Sequence, residues 1–395
     1  MAVGDIYKLR LESIVSGGDA LGRFNGKSVF VELGAPDETV FCRITEEHKN
    51  WSRAEILDII EPSPLRVAVD CKFYGKCGGC NLAHIDYDAQ LRIKANILTD
   101  SFLRIGGITP PLPEVFSSPS LEYRNRMQFH CFREQAKNSC SPKFGLKGRK
   151  SDDITAVTDC QIAVPGIRKI LDHFTGSFVI PPEKDRFTIF SKDEILLNEG
   201  GQQKGTIKLL DKEITLDAGL FFQSNCLMLE KLILELRKIA DDADKNLPIA
   251  DLYCGIGTFA LFLADNFPKV ILAEENKNAV SLARENLKGF NAEYFALRDT
   301  EWSDHLFGKR SGKLQSQSAF GFAVIDPPRA GLALKLAEVL AQNGPPLLAY
   351  VSCDAASLAR DAKILTNGGY KLNRLLLFDF YPQTAHIESL AVFGR

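Results

Sequence analysis

Apolar and polar positions change their period along this chain. Between Gly4 and Ile60 they alternate in short runs (GDIYKLRLESIV, SVFVEL, ETVFCRITEE and WSRAEILDII), with the glycine-rich GGDALGRFNGK reading as a turn. Period-two runs of this length predict strands, and their close spacing predicts a small β-barrel over residues 1–62. EPSPLRV follows as a linker, because Pro62 and Pro64 block a helix. Leu91, Ile97, Leu98 and Phe102 then recur at helical spacing, which predicts one amphipathic helix between Ile85 and the Gly106-Gly107 pair that ends it. After the break TPPLPEV, residues 120–215 alternate again as several strands. A β-rich central domain is therefore expected at 63–215.

From about Leu216 the pattern is different. A helix at roughly 224–240 precedes PIADLYCGIGTFALFLA, after which strands and helices alternate: KVILAEEN, KNAVSLARENLKG, AEYFAL, FGFAVIDPP, PLLAYVSCD and the closing pair RLLLFDFY and SLAVFGR. Such alternation predicts an α/β domain over 216–395, a parallel sheet with helices on both faces.

Composition narrows the class. The hydrophobic share of 45% supports sizeable cores. No apolar run reaches the length of a membrane span, and MAVGDIYKLR lacks a signal-peptide core, so a cytoplasmic monomer without a membrane partner is expected. Ten cysteines in such a chain point to metal binding or thiol chemistry rather than disulfides. The net charge of −2 hides a local excess: Arg124, Arg126, Arg133, Lys137, Lys143, Lys147, Arg149 and Lys150 face only Glu122 and Glu134 between Ser120 and Lys150. This run is compatible with RNA binding, and equally with a solvated surface. In YRNRMQFH, alternation puts Arg124, Arg126, Gln128 and His130 on one face and Tyr123, Met127 and Phe129 on the other.

Three motifs carry chemistry. DLYCGIGTFA sets Gly255 and Gly257 directly after a strand and at the start of a helix, a G-x-G-x-x-A loop that suits a nucleotide ligand. The next strand ends in Glu274-Glu275, either of which could hold ribose hydroxyls; register favours Glu274. Ligands of open α/β sheets bind beyond the carboxyl ends of the strands, where Asp326 of IDPPRAG and Cys353 of YVSCD would also lie. The third motif is CKFYGKCGGC, a C-x5-C-x2-C set at Cys71, Cys77 and Cys80 whose glycines permit a tight wrap. Zinc and an iron–sulfur cluster both fit three close thiolates.

DLYCGIG, AEEN and IDPPRAG together resemble the Rossmann-like S-adenosylmethionine-dependent methyltransferase domain. Enzymes acting on exocyclic amino groups carry an aromatic residue after the two prolines, where this chain has Arg329. YVSCDAASLARD and YPQTAHIESLAVF, with FFQSN and IDPPRAGL, resemble the RNA uracil-5-methyltransferase family along nearly the whole chain. The resemblance implies that Cys353 is the nucleophile and Glu388 the general base. It also implies cofactor contacts at Gln223, Tyr253, Glu274 and Asp326. The barrel resembles a TRAM domain, an RNA-binding module, although GGDALGR departs somewhat from its usual turn. Some family members hold a 4Fe-4S cluster with the spacing of CKFYGKCGGC plus a distant cysteine, for which TDCQIAV supplies Cys160. Cys42, Cys131, Cys140, Cys226 and Cys254 read as structural, and His386 has no assigned role. RNA is the implied partner, with ribosomal RNA favoured over transfer RNA. The alternatives are a methyltransferase acting on another RNA position or a small molecule, and a non-catalytic RNA-binding protein that keeps the fold.

Overall fold

Five strands, β1 (Ile6–Ile14), β2 (Ala20–Phe24), β3 (Lys27–Val31), β4 (Thr39–Glu47) and β5 (Trp51–Glu61), close into a barrel in the order β1-β2-β3-β5-β4. Leu9, Leu11, Val29, Val31, Val40, Ile44 and Ala54 alternate inward to fill it, and Cys42 is buried among them as a structural thiol. β2 lies inside the stretch read as a turn. The turns are in fact Gly17-Gly18 and Asn25-Gly26, all at positive φ, as a tight hairpin requires. Gly22 serves strand contact instead: a Cβ there would sit 3.0 Å from the Arg10 carbonyl oxygen of β1.

The computed structural model describes residues 1–133, 142–172, 185–299, 301 and 320–395. Lys137 and Cys140 lie outside the described residues. The chain divides into two compact units: Met1–Ile97, Phe129–Gln161 and Tyr381–His386 in the first, and Leu98–Gln128, Ile162–Phe380 and Ile387–Arg395 in the second. The barrel thus belongs to a larger unit, and residues 63–215 are shared between the two units rather than forming a third.

The predicted amphipathic helix is α1 (Tyr87–Ser101), continued by one π-helical turn at Phe102–Gly106. Gly107 ends it at φ 65°, donating its N–H to the Phe102 carbonyl, the left-handed stop that glycine makes without strain. In the first unit α1 buries two polar side chains, and both find partners. Gln90 and Gln383 exchange hydrogen bonds, side-chain amide to amide at 2.9 Å and Gln383 N–H to the Gln90 amide oxygen at 2.9 Å. Lys94 Nζ donates to the Tyr381 carbonyl at 3.0 Å. The strand β6 (Glu114–Phe116) belongs to the second unit. β7 (Arg126–Arg133) pairs antiparallel with β8 (Pro142–Lys147), and β8 with β9 (Ile154–Thr155). The alternation read in YRNRMQFH holds: Tyr123, Met127 and Phe129 are buried, whereas Arg124, Arg126, Gln128 and His130 are not.

In the second unit a short helix, α2 (Pro165–Asp172), interrupts the stretch expected to be all strand. Pro165 opens it, at the one helical position where a missing N–H costs nothing. Two hairpins follow, β10 (Arg186–Lys192) with β11 (Ile195–Asn198), and β12 (Lys204–Leu209) with β13 (Lys212–Asp217). The predicted α/β sheet then forms from β14 (Ile249–Leu252), β15 (Val270–Ala273), β16 (Ala292–Phe295), β17 (Phe322–Ile325), β18 (Leu347–Ser352), β19 (Lys371–Phe378) and β20 (Glu388–Gly394). With β6 it has eight strands in the order β16-β15-β14-β17-β18-β20-β19-β6. Pairing from β16 to β18 is parallel, and β20 runs antiparallel between β18 and β19. α3 (Cys226–Ala240), α4 (Thr258–Leu263), α5 (Lys277–Asn286), α6 (Leu334–Asn343) and α7 (Ala355–Asn367) alternate with the strands. β14, β15 and β17 are buried at every position, the pattern of a parallel sheet covered on both faces. Among the described residues no helix is long and apolar enough to cross a membrane.

Candidate active site

Strand register brings the predicted residues together. Leu252, Ala273 and Ile325 are level in the parallel ladder, and each is the last residue of its strand. Tyr253, Glu274 and Asp326 are therefore the first residues beyond the sheet at one edge. Cys353 is the corresponding residue after β18, whose last residue, Ser352, pairs with Ser389. That pairing sets Glu388, the first residue of β20, at the same edge. Five side chains from five strands thus meet at the carboxyl end of the sheet, the place where open α/β sheets bind ligands.

The glycine loop is shaped for a ligand. Tyr253, Gly255 and Gly257 all have positive φ, at 61°, 54° and 80°. Glycine takes this conformation freely, whereas at Tyr253 it is backbone strain. Gly257 also has no room, since a Cβ would lie 2.7 Å from Leu287 Cδ1, while the space in front of Gly255 is open. Glu274 is fixed by accepting the Gly255 N–H at 3.2 Å and the Asn276 N–H at 2.8 Å. Glu275 is exposed and lines a cavity with Ala296, Leu297 and Arg298.

The electrostatics of this edge are unbalanced. Burial raises Asp326 to about 7. Asp251 is raised to about 8 by burial, with Asp326 and Glu274 adding repulsion. Burial holds Glu388 well above the usual carboxylate range; Asp326 pushes it further up and Arg329 pulls it down. The Cys353 thiol goes up to about 11, through burial first, then Glu388 and Asp326, with Arg329 opposing. Packed acids of this kind favour a cationic ligand. Three buried oxygens, Gln223 Oε1, Ser224 Oγ and Asp251 Oδ1, have no hydrogen-bond partner in the chain, although buried polar atoms are almost always paired. Acceptors left open beside carboxylates fit the ammonium, sulfonium and ribose hydroxyls of S-adenosylmethionine.

Two participants lacked a sequence signal. Asp299 accepts a hydrogen bond from the Tyr253 hydroxyl at 3.0 Å, but it follows β16 in no recognisable motif. Asp251 was visible only as an acid before the glycines. It anchors the loop by accepting the Ala260 N–H at 2.8 Å. His386, unassigned from sequence, stands edge-on to Tyr381 with ring centroids 5.6 Å apart.

The basic run between Ser120 and Lys150 is partly neutralised inside the first unit. Arg149 bonds Glu32 at 3.0 Å, Lys150 reaches Asp19 at 3.3 Å and also Glu32, and Lys147 bonds Asp152 at 2.6 Å. Cys71, Cys77, Cys80 and Cys160 are half-buried free thiols of the same unit. Among the described residues no three metal-ligating groups are drawn together as a metal site. The local fold nevertheless suits a thiolate set. The Cys77 N–H bonds the Phe73 carbonyl at 2.8 Å, wrapping the loop. The Gly79 N–H reaches the Cys77 sulfur at 3.4 Å, a contact that steadies a ligating thiolate. Gln161, beside Cys160, donates to the Asp70 carbonyl, beside Cys71. Gly78 fits a gap where a Cβ would lie 2.9 Å from the Gly148 carbonyl oxygen.

Fold and site define a class: methyltransferases that use S-adenosylmethionine. Comparison with known proteins narrows it. Residues 192–395 match the family model of tRNA (uracil-5-)-methyltransferases, and residues 2–57 match the TRAM domain. The chain is 32% identical to an uncharacterised RNA methyltransferase of Treponema denticola, over 94% of each chain. It is 29% identical to the 23S rRNA (uracil(1939)-C(5))-methyltransferase RlmD of Aeromonas hydrophila, over 95% of this chain and 93% of that one. The crystal structure of Pyrococcus abyssi tRNA (uracil-54, C5)-methyltransferase with S-adenosyl-L-homocysteine shares the fold, with a TM-score of 0.72 at 21% identity, covering 98% of this chain and all of that one. The chain belongs to the RNA (uracil-5-)-methyltransferase family. This excludes the non-catalytic and small-molecule alternatives.

Proposed function

We propose that this enzyme methylates carbon 5 of one uridine in 23S ribosomal RNA through a covalent adduct to Cys353. The observation that carries the reading is the meeting of Cys353, Glu388 and Asp326 at one sheet edge beside an open glycine loop. When bound, S-adenosylmethionine supplies an electrophilic methyl group. Gln223, Tyr253, Gly255, Gly257, Glu274 and Asp326 would hold it. The Cys353 thiolate forms a bond to carbon 6 of the uracil, which makes carbon 5 electron-rich enough to take the methyl group. Glu388 then accepts the carbon-5 proton. The sulfur–carbon 6 bond breaks as the ring double bond returns, and the thiolate is regenerated. Both groups are largely protonated in the free site, so positive charge arriving with the cofactor favours their ionised forms.

Cys71, Cys77, Cys80 and Cys160 are read as the ligands of a 4Fe-4S cluster. The reaction has no electron-transfer step, so its role is structural or in RNA positioning. The TRAM barrel and the strand face of Arg124, Arg126, Gln128 and His130 would meet RNA, with arginine on backbone phosphate. A cytoplasmic monomer is the expected working form. Ribosomal RNA is favoured by the names of relatives that match nearly end to end, such as that of Aeromonas hydrophila.

The test is mass-spectrometric mapping of 5-methyluridine in 23S and transfer RNA from cells with the gene, without it, and complemented with Cys353→Ala. One 23S uridine should lose its methyl group without the gene and stay unmethylated with the variant. Loss confined to transfer RNA would move the substrate, and full methylation by the variant would remove Cys353 from the chemistry.

A further inference from the structure

We infer that Asp361 and Arg360, on α7, are positioning residues for methyl transfer: they hold the turn after Asp326 so that the Arg329 guanidinium stays within reach of Cys353 and Glu388. The inference rests on Cys353 being the nucleophile. Asp361 is fully buried, and both its oxygens are engaged. Oδ2 accepts from the Tyr350 hydroxyl of β18 at 2.8 Å and from the Leu332 N–H at 2.8 Å. Oδ1 accepts from Arg360 Nε at 2.8 Å. Arg360 Nη2 reaches over to the carbonyls of Ala330 at 2.9 Å and Leu332 at 3.2 Å. Gly331 lies between, at φ 75°, where a Cβ would come within 2.5 Å of Asp361 Oδ2. The other end of the turn is tied by the Asp326 N–H to the Leu252 carbonyl at 3.2 Å. Arg329 is therefore the exposed apex of a turn pinned at both ends.

The groups acting on Cys353 show why that apex matters. Glu388 on β20 and Asp326 after β17 oppose the thiolate, and Arg329 is the cation that favours it. Arg329 acts on Glu388 in the same direction. α7 begins two residues after Cys353, so one helix fixes both the thiol's strand end and the turn carrying its counter-charge.

Sign separates this role from the alternatives. Losing the Asp361 charge by itself would favour the thiolate, whereas letting Arg329 drift away would disfavour it. The experiment is alkylation of the intact protein by iodoacetamide, read at the Cys353 peptide by mass spectrometry, at a pH below the thiol pKa. Each unit of rise in that pKa then slows the reaction up to about tenfold. Asp361→Asn and Arg360→Gln should each slow alkylation severalfold, and Arg329→Gln should do the same. Combining Arg329→Gln with Asp361→Asn should add nothing further. Arg360→Lys should recover part of the rate. Unchanged or faster alkylation, or additive effects in the double variant, would overturn the inference. If Asp361→Asn does not fold, the half-exposed Arg360 decides the matter through Arg360→Gln. Methylation by Cys353→Ala would instead sink the nucleophile reading, without altering the alkylation result.

Discussion

Asp326 shows how a single side chain can set a condition for cofactor capture. Burial keeps its carboxyl neutral below about 7, and an uncharged carboxyl attracts a sulfonium only weakly. Calorimetry should find S-adenosylmethionine affinity falling as pH drops through about 7, as the attracting charge is lost. S-adenosylhomocysteine, uncharged at sulfur, should change less; equal pH dependence of the two ligands would mean that Asp326 does not act on that charge. Glu274 has the other task. Glu274→Ala should weaken the cofactor by about 1.5–3 kcal/mol, through lost charge-assisted hydrogen bonds. Unchanged affinity would move the ribose contact to Glu275. Cys353 and Glu388 should give opposite signatures on a denaturing gel. Cys353→Ala should form no covalent RNA complex. Glu388→Gln should accumulate one, because methyl transfer proceeds while elimination stalls. Normal turnover of the glutamine variant, without adduct, would take Glu388 out of the mechanism.

At the scale of elements, the catalytic unit depends on how α3 is tied down. Asn225 caps it by accepting the Met228 N–H at 3.1 Å. Its amide nitrogen donates to Ser118 Oγ at 3.0 Å and to the Phe380 carbonyl at 3.2 Å. One buried side chain thus joins the start of α3, the segment after β6 and the end of β19. Asn225→Ala removes a cap, worth about 0.5–2 kcal/mol. It also leaves buried partners unsatisfied, at about 1–3 kcal/mol. Denaturant unfolding should show a loss of several kcal/mol, and a loss under 1 kcal/mol would mean that water replaces these bonds. The predicted helices and most of the strands were legible because their apolar periods were long enough. β2 was missed because five residues containing Gly22 look like a turn, and α2 because eight residues sat within an alternating stretch.

At the scale of the whole molecule, the question is what the four half-buried thiols bind. Anaerobically purified protein should be brown, with iron and sulfide near four per chain. Cys160→Ser should lower both, because its segment meets the Cys71 segment through Gln161. Stoichiometric zinc without sulfide would replace the cluster with a simpler structural site. The division of the chain also becomes visible only at this scale. Sequence breaks at 62 and 215 suggested three consecutive domains. The contacts make two units, each assembled from three separate stretches, because packing ignores chain order.

The sequence by itself determined the strand–helix alternation, the glycine loop, the acids at strand ends and the isolated Cys353. Each is a local pattern fixed by side-chain period or by backbone freedom at glycine. Only the tertiary structure decided which of these face one another. Strand order set β20 beside β18, bringing Glu388 level with Cys353 although 35 positions separate them in the chain. Burial then raised the thiol and the carboxylates, and pairing within the first unit neutralised part of a basic run that had looked like free charge. Such effects depend on what surrounds a group in space, and no local reading of the chain contains that.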